Sequence, residues 1–143
     1  MSVRQFTAIL KIGYAGLNYW VIGMTPERYH FLQSRNYDQL GASNRSAHHA
    51  HECLKFAEYP EPRARLGYYY ANLDKHVEAA GHYRQAVKTW PHPSIMLALA
   101  QAELRCGDRQ AALDWLARVE SSEMKEQLRQ PIAEVRSELD GTA

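Results

Sequence analysis

From Pro60 onward the sequence matches itself at a fixed offset of 33 positions. Apolar and small residues recur in four pairs: Leu66 with Leu99, Ala79 with Ala112, Tyr83 with Leu116, and Ala86 with Val119. Both copies have the pattern of a helix, a short turn and a second helix. A helix pair of this kind cannot bury its apolar face alone, so neighbouring pairs must stack against it. The repeat therefore predicts an all-α protein built from stacked helix pairs.

The spacing of residues within the two copies points to a known repeat family. The first copy reads Leu66-Gly67-x2-Tyr70, then Ala79-x3-Tyr83-x2-Ala86, then Pro91. This pattern resembles the tetratricopeptide repeat, and the resemblance covers two repeats over residues 60–121. The second copy has Leu99-Ala100 in place of Leu-Gly and carries a Gly-Asp turn within CGDRQAALDWLARV. The family resemblance implies a helical solenoid whose work is to bind other proteins.

The first copy also departs from the family pattern. Arg63 stands where the family often has tryptophan, the turn from Leu73 to His76 has no glycine, and the period is one residue short of the usual length. A looser third match, Ala50-x3-Leu54-x2-Ala57 followed by Pro62, suggests a degenerate repeat before the two clear ones. We therefore expect a TPR-like α-solenoid of about six to seven helices.

Four segments follow along the chain. They are an apolar N-terminal helix, a helical pair that forms the degenerate repeat, two TPR-like repeats and a C-terminal cap, in residues 1–24, 25–59, 60–121 and 122–143. Thr25-Pro26 predicts the start of the second helix, since Thr suits an N-cap and Pro the first helical position. That helix should end around Gly41, and the third should begin at Ser43 or Asn44 and run to about Tyr59.

The last segment carries an apolar stripe at helical spacing. Leu128, Ile132, Val135 and Leu139 form this stripe, which suits a helix that caps the solenoid. Pro131 interrupts the stripe, because proline removes one backbone hydrogen bond and clashes with the preceding turn. We therefore expect a kink or break near Gln130, or a cap made of two short helices.

The N-terminal segment is the most apolar part of the chain. Residues 6–24 approach the length that spans a bilayer, but Lys11 offsets most of the gain from the apolar residues, and no cleavage pattern of a signal peptide follows. Three alternatives stay open: a first helix packed on the repeats, a helix that contacts a partner protein or a membrane surface, and a spanning helix. The residues expected to make such an N-terminal contact are Phe6, Leu17, Trp20 and Val21.

The resemblance also implies where a partner would bind. The first helix of each repeat in this family presents one side to a concave groove, and Tyr68 lies on that side because it is two residues away from the packing residue Tyr70. The groove residues implied by the resemblance are Ala64, Tyr68, Ala71, Asn72, Leu97, Gln101, Leu104 and Arg105. This mixture is apolar and nearly uncharged, which favours an apolar or helical peptide over an acidic chaperone tail. The alternative is that these side chains contact a neighbouring helix of the same chain.

The segment SAHHAHEC gathers three histidines, Glu52 and Cys53 on the third helix. His49 and Cys53 are four residues apart, and His48 has similar spacings to His51 and Glu52, so two metal ligands could share one face. A closed zinc site needs two more ligands, and the sequence has no second pair at metal spacing. We therefore predict no metal and no other cofactor, and we interpret the histidines as a solvated or partner-facing cluster that gains charge as the pH falls.

Composition excludes several classes of function. Seventeen basic residues nearly balance sixteen acidic ones, so no strong field attracts nucleic acid. The two cysteines lie far apart and predict thiols in a reducing, cytoplasmic compartment, although a membrane association through residues 6–24 stays open. Motifs of phosphate-binding loops, serine hydrolases and zinc proteases are lacking, so we predict that the chain is not an enzyme. We expect an adaptor or dedicated chaperone, or alternatively a structural subunit seated in a larger assembly by its N-terminal helix.

Overall fold

The computed structural model describes residues 2–21 and 23–141, without the side chains of 18–21. The helices are α1 (Val3–Val21), α2 (Pro26–Gln39), α3 (Ser43–Leu54), α4 (Pro60–Asn72), α5 (His76–Thr89), α6 (Pro93–Arg105), α7 (Arg109–Glu120) and α8 (Arg129–Gly141). These eight helices, with no strand in the described part of the chain, confirm the all-α prediction and exceed the expected number. The chain forms two compact units, Met1–Tyr69 and Tyr70–Ala143, and their boundary falls within α4.

One turn geometry recurs at every 33rd residue. Gly41, Asp74 and Gly107 have positive φ angles of 77°, 57° and 87°, and each lies two residues beyond the end of α2, α4 or α6. In the first of these turns the N–H of Gly41 donates to the carbonyl of Asp38, and the N–H of Ala42 donates to that of Tyr37, both at 2.9 Å. This is the Schellman pattern, which ends a helix and satisfies its last carbonyl groups. The helix pairs α2–α3, α4–α5 and α6–α7 therefore share one turn.

The shared turn places the degenerate repeat in a register that the sequence match missed. Ser46, Ala50 and Cys53 are buried on α3, and each lies 33 residues before Ala79, Tyr83 or Ala86. The match built on Ala50, Leu54 and Ala57 was four residues out of register. The expected end of the third helix near Tyr59 is also wrong, because α3 ends at Leu54 and residues 55–59 form the connection to α4.

The first unit is held together by α1, α2 and α3, with α2 packed against both of the others. Small side chains make its closest contacts. The hydroxyl of Ser46 donates to the backbone carbonyl of Ser34 at 2.9 Å, which ties α3 to α2. On α1 the buried apolar residues of the described part are Ala8 and Ala15. Small residues let two helix backbones approach closely, so α1 presents its small residues inward and leaves its large apolar residues exposed.

α2 begins where the sequence predicts it. Thr25 has the extended backbone of an N-cap residue, with φ −66° and ψ 148°, and Pro26 occupies the first helical position. Proline is favoured there because its missing N–H has no helical partner in the first turn. The side chain of Thr25 makes no capping hydrogen bond, so the fixed φ of Pro26 is the main local signal for this helix start.

The second unit has a continuous apolar core formed by α6, α7 and α8. Its members include Leu97, Leu104, Leu116, Val119, Ile132, Val135 and Leu139. The expected break near Gln130 is the start of α8 itself: the helix begins at Arg129, and Pro131 lies in its first turn. The first N–H groups of a helix lack helical partners, so Pro131 removes no bond there. The cap is a single helix preceded by the turns of residues 121–128.

α1 does not meet the requirements of a membrane-spanning segment. Among the residues that the structure describes, no helix is both long enough and apolar enough to cross a bilayer. The spanning-helix alternative therefore has no support from the described part of α1.

Candidate functional site

A pocket of about 540 Å³ lies on the first unit, between the end of α2, the start of α3 and the first two turns of α4. Its lining residues are Asp38, Gly41, Ser43, Glu61, Ala64, Arg65 and Tyr68. The Schellman turn positions one wall, because the left-handed Gly41 reverses the chain directly beside the pocket. Two of the predicted groove residues, Ala64 and Tyr68, form the opposite wall. We call this feature the α2–α4 pocket.

The α2–α4 pocket contains two carboxylates and one guanidinium group. Arg65 forms an ion pair with Glu61 one helical turn earlier, and its Nε lies 3.9 Å from Oδ2 of Asp38. The Arg65 side chain is mostly buried and lies over the ring of Phe31, with 6.0 Å between the guanidinium carbon and the ring centroid. The charged residues of this pocket sum to one negative charge, since two acids face one arginine. The pocket therefore favours a ligand that carries a cationic or hydrogen-bond-donating group.

Tyr68 is the exposed aromatic residue of the α2–α4 pocket, with 61% of its surface accessible. Its neighbour Tyr69 turns the other way, where its hydroxyl donates to Oδ1 of Asn44 at 3.1 Å and ties α4 to the start of α3. Ala64 precedes Tyr68 by one turn, and its small side chain leaves space in the pocket beside the Tyr68 ring. An aromatic ring beside a small residue offers a surface on which an apolar side chain of a ligand can pack.

The other predicted groove residues belong to the second unit. Asn72, Gln101 and Arg105 are exposed, and Ala71 is half-buried. The guanidinium of Arg105 lies 3.2 Å from the carboxylate of Glu138 on α8. Asn72, Gln101 and Arg105 are therefore accessible on their own unit.

The two leucines of the predicted groove are core residues. Leu97 and Leu104 are only 7% and 9% exposed, and they pack with α7 and α8 in the core of the second unit. The expectation that they face away from the packing residues is therefore wrong. The cap helix is the reason, because its stripe of Ile132, Val135 and Leu139 needs an apolar surface and finds it on these leucines. The sequence shows that the stripe needs an apolar surface to pack against, but it does not show that Leu97 and Leu104 provide that surface.

Five of the seven lining residues of the α2–α4 pocket were not among the predicted groove residues, and three of the five, Asp38, Glu61 and Arg65, are charged. Asp38 and Glu61 come from different helices, so their approach to Arg65 depends on how α2 and α4 stack. The spacing of Glu61 and Arg65, four residues apart on one helix, was a local signal for an ion pair. No local signal placed Asp38 beside them.

The predicted N-terminal contact residues are partly described. Phe6 and Leu17 are 53% and 61% exposed on α1, so both are accessible to a partner. The side chains of Trp20 and Val21 lie outside the described part of the structure. The exposed large residues of α1 that share one side of the helix are Val3, Phe6, Leu10, Tyr14 and Leu17. We call this set the α1 stripe.

The histidines of α3 contact aromatic and histidine rings of the first unit. Nδ1 of His49 lies 2.8 Å from Nδ1 of His30 on α2, and the ring of Tyr37 stacks on His49 at a centroid distance of 5.4 Å and an interplanar angle of 7°. Burial, helped by the charges of His30 and His48, lowers the pKa of His49 to about 4. Burial is also the main cause of the lowered pKa values of His30 and His51. The expectation that the cluster gains charge near the ordinary histidine pKa is therefore wrong for two of its members, His49 and His51.

The same environment is unsuitable for a metal site. Cys53 is buried, its thiol donates to the backbone carbonyl of Glu27 at 3.3 Å, and burial raises its pKa to about 11. A protonated thiol is a poor metal ligand, since zinc binds the thiolate. Glu52, the other acidic candidate, pairs with Lys55 at 2.6 Å. Within the described residues no group of three His, Cys, Asp or Glu side chains is placed to hold a metal ion.

Comparisons with known proteins bear on the fold. No protein-family model matches the chain, and no curated protein matches it. Among solved structures it is similar to the TPR2B domain of yeast Sti1, in a structure described as the TPR2B-domain:pHsp70 complex, with a TM-score of 0.70 and 15% identity. The match covers 82% of this chain and 98% of that chain. At this level of identity the similarity establishes the fold alone. The chain has a TPR-like helical-repeat fold.

Proposed function

We propose that this chain is a protein-interaction module that binds an apolar or helical segment of another protein in the α2–α4 pocket. The observation that carries the proposal is the exposed ring of Tyr68 beside Ala64, at the wall of a pocket large enough for several side chains. Exposed aromatic residues at the centre of a concave surface are frequent anchors of protein interfaces. The solved TPR structure that resembles this chain is itself a complex with a protein ligand.

The charge of the pocket narrows the chemistry of the partner. Asp38 and Glu61 outnumber Arg65, so an acidic peptide tail would meet net repulsion. We propose a segment with an apolar residue against Tyr68 and a basic residue toward the two carboxylates. Exposed Asn72, Gln101 and Arg105 are proposed as further partner contacts on the second unit.

Substitutions that keep the fold provide the test. Tyr68→Ala removes an exposed ring, and Glu61→Gln removes one charge. Both should leave the helical content and the melting temperature nearly unchanged, because Tyr68 is exposed and the glutamine amide oxygen can still accept a hydrogen bond from Arg65. Leu104→Glu is unsuitable, since it would place a carboxylate in the core. Loss of an aromatic anchor typically weakens binding by about 2 kcal/mol or more, about thirtyfold.

The experiment is affinity capture of partners from cell extract, followed by binding measurements with the purified partner. We expect at least one protein to be retained by the wild type and lost with Tyr68→Ala. Phe56→Ala is the matched control, because Phe56 is an exposed aromatic residue of the first unit outside the pocket. A partner that binds the wild type and both variants equally would contradict the proposed site.

The exposed α1 stripe favours a second candidate function, that of a structural subunit seated in a larger assembly through α1. A chain that begins at Thr25 would then lose its place in the assembly, whereas Tyr68→Ala would keep it. Retention of the shortened chain in the assembly would contradict this candidate.

We propose a cytoplasmic location and no catalytic role. The location follows from the unpaired cysteines, since Cys106 is an exposed thiol that persists best in a reducing compartment. The TPR-like fold is typically a scaffold for protein binding, and the α2–α4 pocket lacks a nucleophile paired with a base.

A further inference from the structure

A second cavity, of about 600 Å³, lies between α1 and α2. Its lining combines aliphatic and aromatic side chains with three basic ones: Lys11, Tyr14, Ala15, Gly23, Met24, Thr25, Arg28, Leu32, Arg35 and Asn36. It shares no residue with the α2–α4 pocket. We call it the α1–α2 cavity.

The α1–α2 cavity concentrates positive charge. Lys11, Arg28 and Arg35 all line it, and among the described residues none of the three takes part in an ion pair or a side-chain hydrogen bond. The sequence has no acidic residue before Glu27, so α1 offers no carboxylate to these cations. Unpaired basic groups around a concave surface raise the local concentration of anions. The cavity is therefore suited to an anionic group.

Asn36 supplies an independent indication of a ligand. Its side chain is only 2% exposed, it lines the cavity, and its Oδ1 has no hydrogen-bond partner among the described residues. A buried carbonyl oxygen without a donor destabilises a fold by about 1 to 3 kcal/mol, so such atoms are normally satisfied. A ligand with a hydroxyl or amine beside its anionic group would satisfy it.

The α1 stripe continues from the mouth of this cavity. Tyr14 belongs to both features, and Phe6, Leu10 and Leu17 extend the exposed apolar surface along the same side of α1. The opposite side, with Ala8 and Ala15, is buried. A helix with one apolar side and flanking Arg and Lys residues, here Arg4 and Lys11, is typical of helices that lie in the plane of an anionic membrane surface.

We propose that α1 lies in the interface of an anionic bilayer and that the α1–α2 cavity binds the headgroup of an anionic phospholipid. The phosphate contacts Lys11, Arg28 and Arg35, a headgroup hydroxyl such as that of phosphatidylglycerol donates to Oδ1 of Asn36, and the α1 stripe meets the acyl chains. A second copy of this chain is a poorer occupant, because it would bring Arg4 and Lys11 against the same cations without any acid on α1. This lipid site uses the α1 stripe, which the candidate function as a structural subunit also uses, and it involves no residue of the α2–α4 pocket.

Vesicle flotation of the full chain tests the proposal. We expect the protein to float with vesicles of phosphatidylcholine and phosphatidylglycerol and to stay behind with phosphatidylcholine alone. The double variant Arg28→Gln with Arg35→Gln should bind about thirtyfold more weakly, because each basic group near an anionic surface contributes about fivefold to binding. The control is Arg118→Gln with Arg129→Gln, which removes the same charge from exposed positions of the second unit and should bind like the wild type.

Asn36→Leu separates headgroup recognition from general attraction to charge. The wild type should prefer phosphatidylglycerol vesicles over vesicles of equal charge made with dicetyl phosphate, which has no headgroup hydroxyl, and Asn36→Leu should lose this preference. Its melting temperature without lipid should be unchanged or higher, since leucine fills a similar volume and leaves no unsatisfied oxygen.

Three results would overturn the proposal: equal flotation with uncharged vesicles, equal weakening by the cavity variant and its control, or full binding by Phe6→Asp with Leu10→Asp. If the α1 stripe instead binds a protein, the wild type should float with no vesicles, and Phe6→Asp with Leu10→Asp should lose a protein that the wild type captures. That result would also exclude the lipid site. Capture of a Tyr68-dependent partner should be unaffected by every cavity variant, so a failure here leaves the function of the α2–α4 pocket intact.

Discussion

At the scale of single residues, Asp74 has the least favourable backbone of the three recurring turns. Its φ of 57° is left-handed, whereas glycine occupies the equivalent positions 41 and 107. Its side chain is 95% exposed, and its Oδ1 lies 3.7 Å from Nε2 of His76. A side chain in this conformation destabilises the folded state relative to glycine, and little contact energy compensates for it here.

Asp74→Gly should therefore raise the free energy of unfolding by about 1 kcal/mol, measured by urea denaturation. The matched change in the opposite direction is Gly107→Ala, which should lower that free energy by about 1 kcal/mol because φ at this position is 87°. Changes of the same sign in the two variants would contradict the role of the left-handed turn.

His49 makes the stability of the first unit depend on pH. The unfolded chain takes up a proton on this imidazole near pH 6.5, but the folded chain does so only near pH 4. Between these values the unfolded state binds more protons, so the free energy of unfolding falls as the pH is lowered. The groups around His49 are His30 and Tyr37 on α2, with His48 and Glu52 on its own helix.

His49→Phe keeps a flat ring against Tyr37 and removes this titration. We expect the wild type to lose about 1 to 2 kcal/mol more than the variant between pH 7 and pH 4.5, after allowance for solvent screening of a half-buried group. Thermal melts at the two pH values provide the measurement. His48→Gln, a change at an exposed neighbour, should retain most of the dependence, and an unchanged pH profile in His49→Phe would remove His49 as its source.

At the scale of helices, an ion pair with a buried carboxylate joins α5 to α6. Arg84 donates from Nε and Nη2 to the two carboxylate oxygens of Glu103, at 2.7 and 2.6 Å. The Glu103 side chain is 2% exposed and the Arg84 side chain is 50% exposed. Glu103 lies 33 residues after Tyr70, so the second repeat has an ion pair where the first has an aromatic residue.

Arg84→Met should lower the free energy of unfolding by about 2 to 4 kcal/mol, because it leaves the carboxylate of Glu103 buried and unpaired. Arg84→Met combined with Glu103→Leu should recover to within about 1 kcal/mol of the wild type, since apolar residues replace such pairs at little cost. Urea denaturation of both single variants and the double variant provides the measurement. Additive losses would show that the two side chains act independently.

The helices show where sequence reasoning succeeds. The two clear repeats and the start of α2 at Pro26 were predictable, because small residues, caps and prolines act within a few residues of their own position. Pro131 was interpreted as a break inside the cap, whereas it lies in the first turn of α8. α1 was harder to interpret. Its periodicity marks an apolar side correctly but not which side is buried, and the small Ala8 and Ala15 pack inward instead of the large residues.

At the scale of the whole molecule, the candidate sites depend on contacts between distant segments. Tyr68 could be predicted as exposed from its own helix, but the closeness of Asp38 to Arg65 follows from the stacking of α2 and α4. Leu97 and Leu104 were misplaced for the same reason, since the stripe of α8 that covers them lies more than twenty residues further along the chain. The fold class follows from short patterns that recur in each repeat. Which side chains meet in a pocket depends instead on contacts between segments far apart in the sequence.

The recurring turn divides the connections of this chain into two kinds with different tolerance to added length. The connections within helix pairs, 40–42, 73–75 and 106–108, contain the left-handed turn, whereas those between pairs or before the cap, 55–59, 90–92 and 121–128, do not. A flexible peptide inserted after Ser122 interrupts one turn bond, from the N–H of Lys125 to the carbonyl of Ser122, and lengthens a loop at about 0.6 kcal/mol for each doubling. The same peptide inserted after Gly107 breaks the Schellman bonds and should lower the melting temperature by several degrees more, measured by calorimetry. The segment 121–128 is therefore the site at which a probe, tag or fused domain can enter the chain with least effect on its repeats.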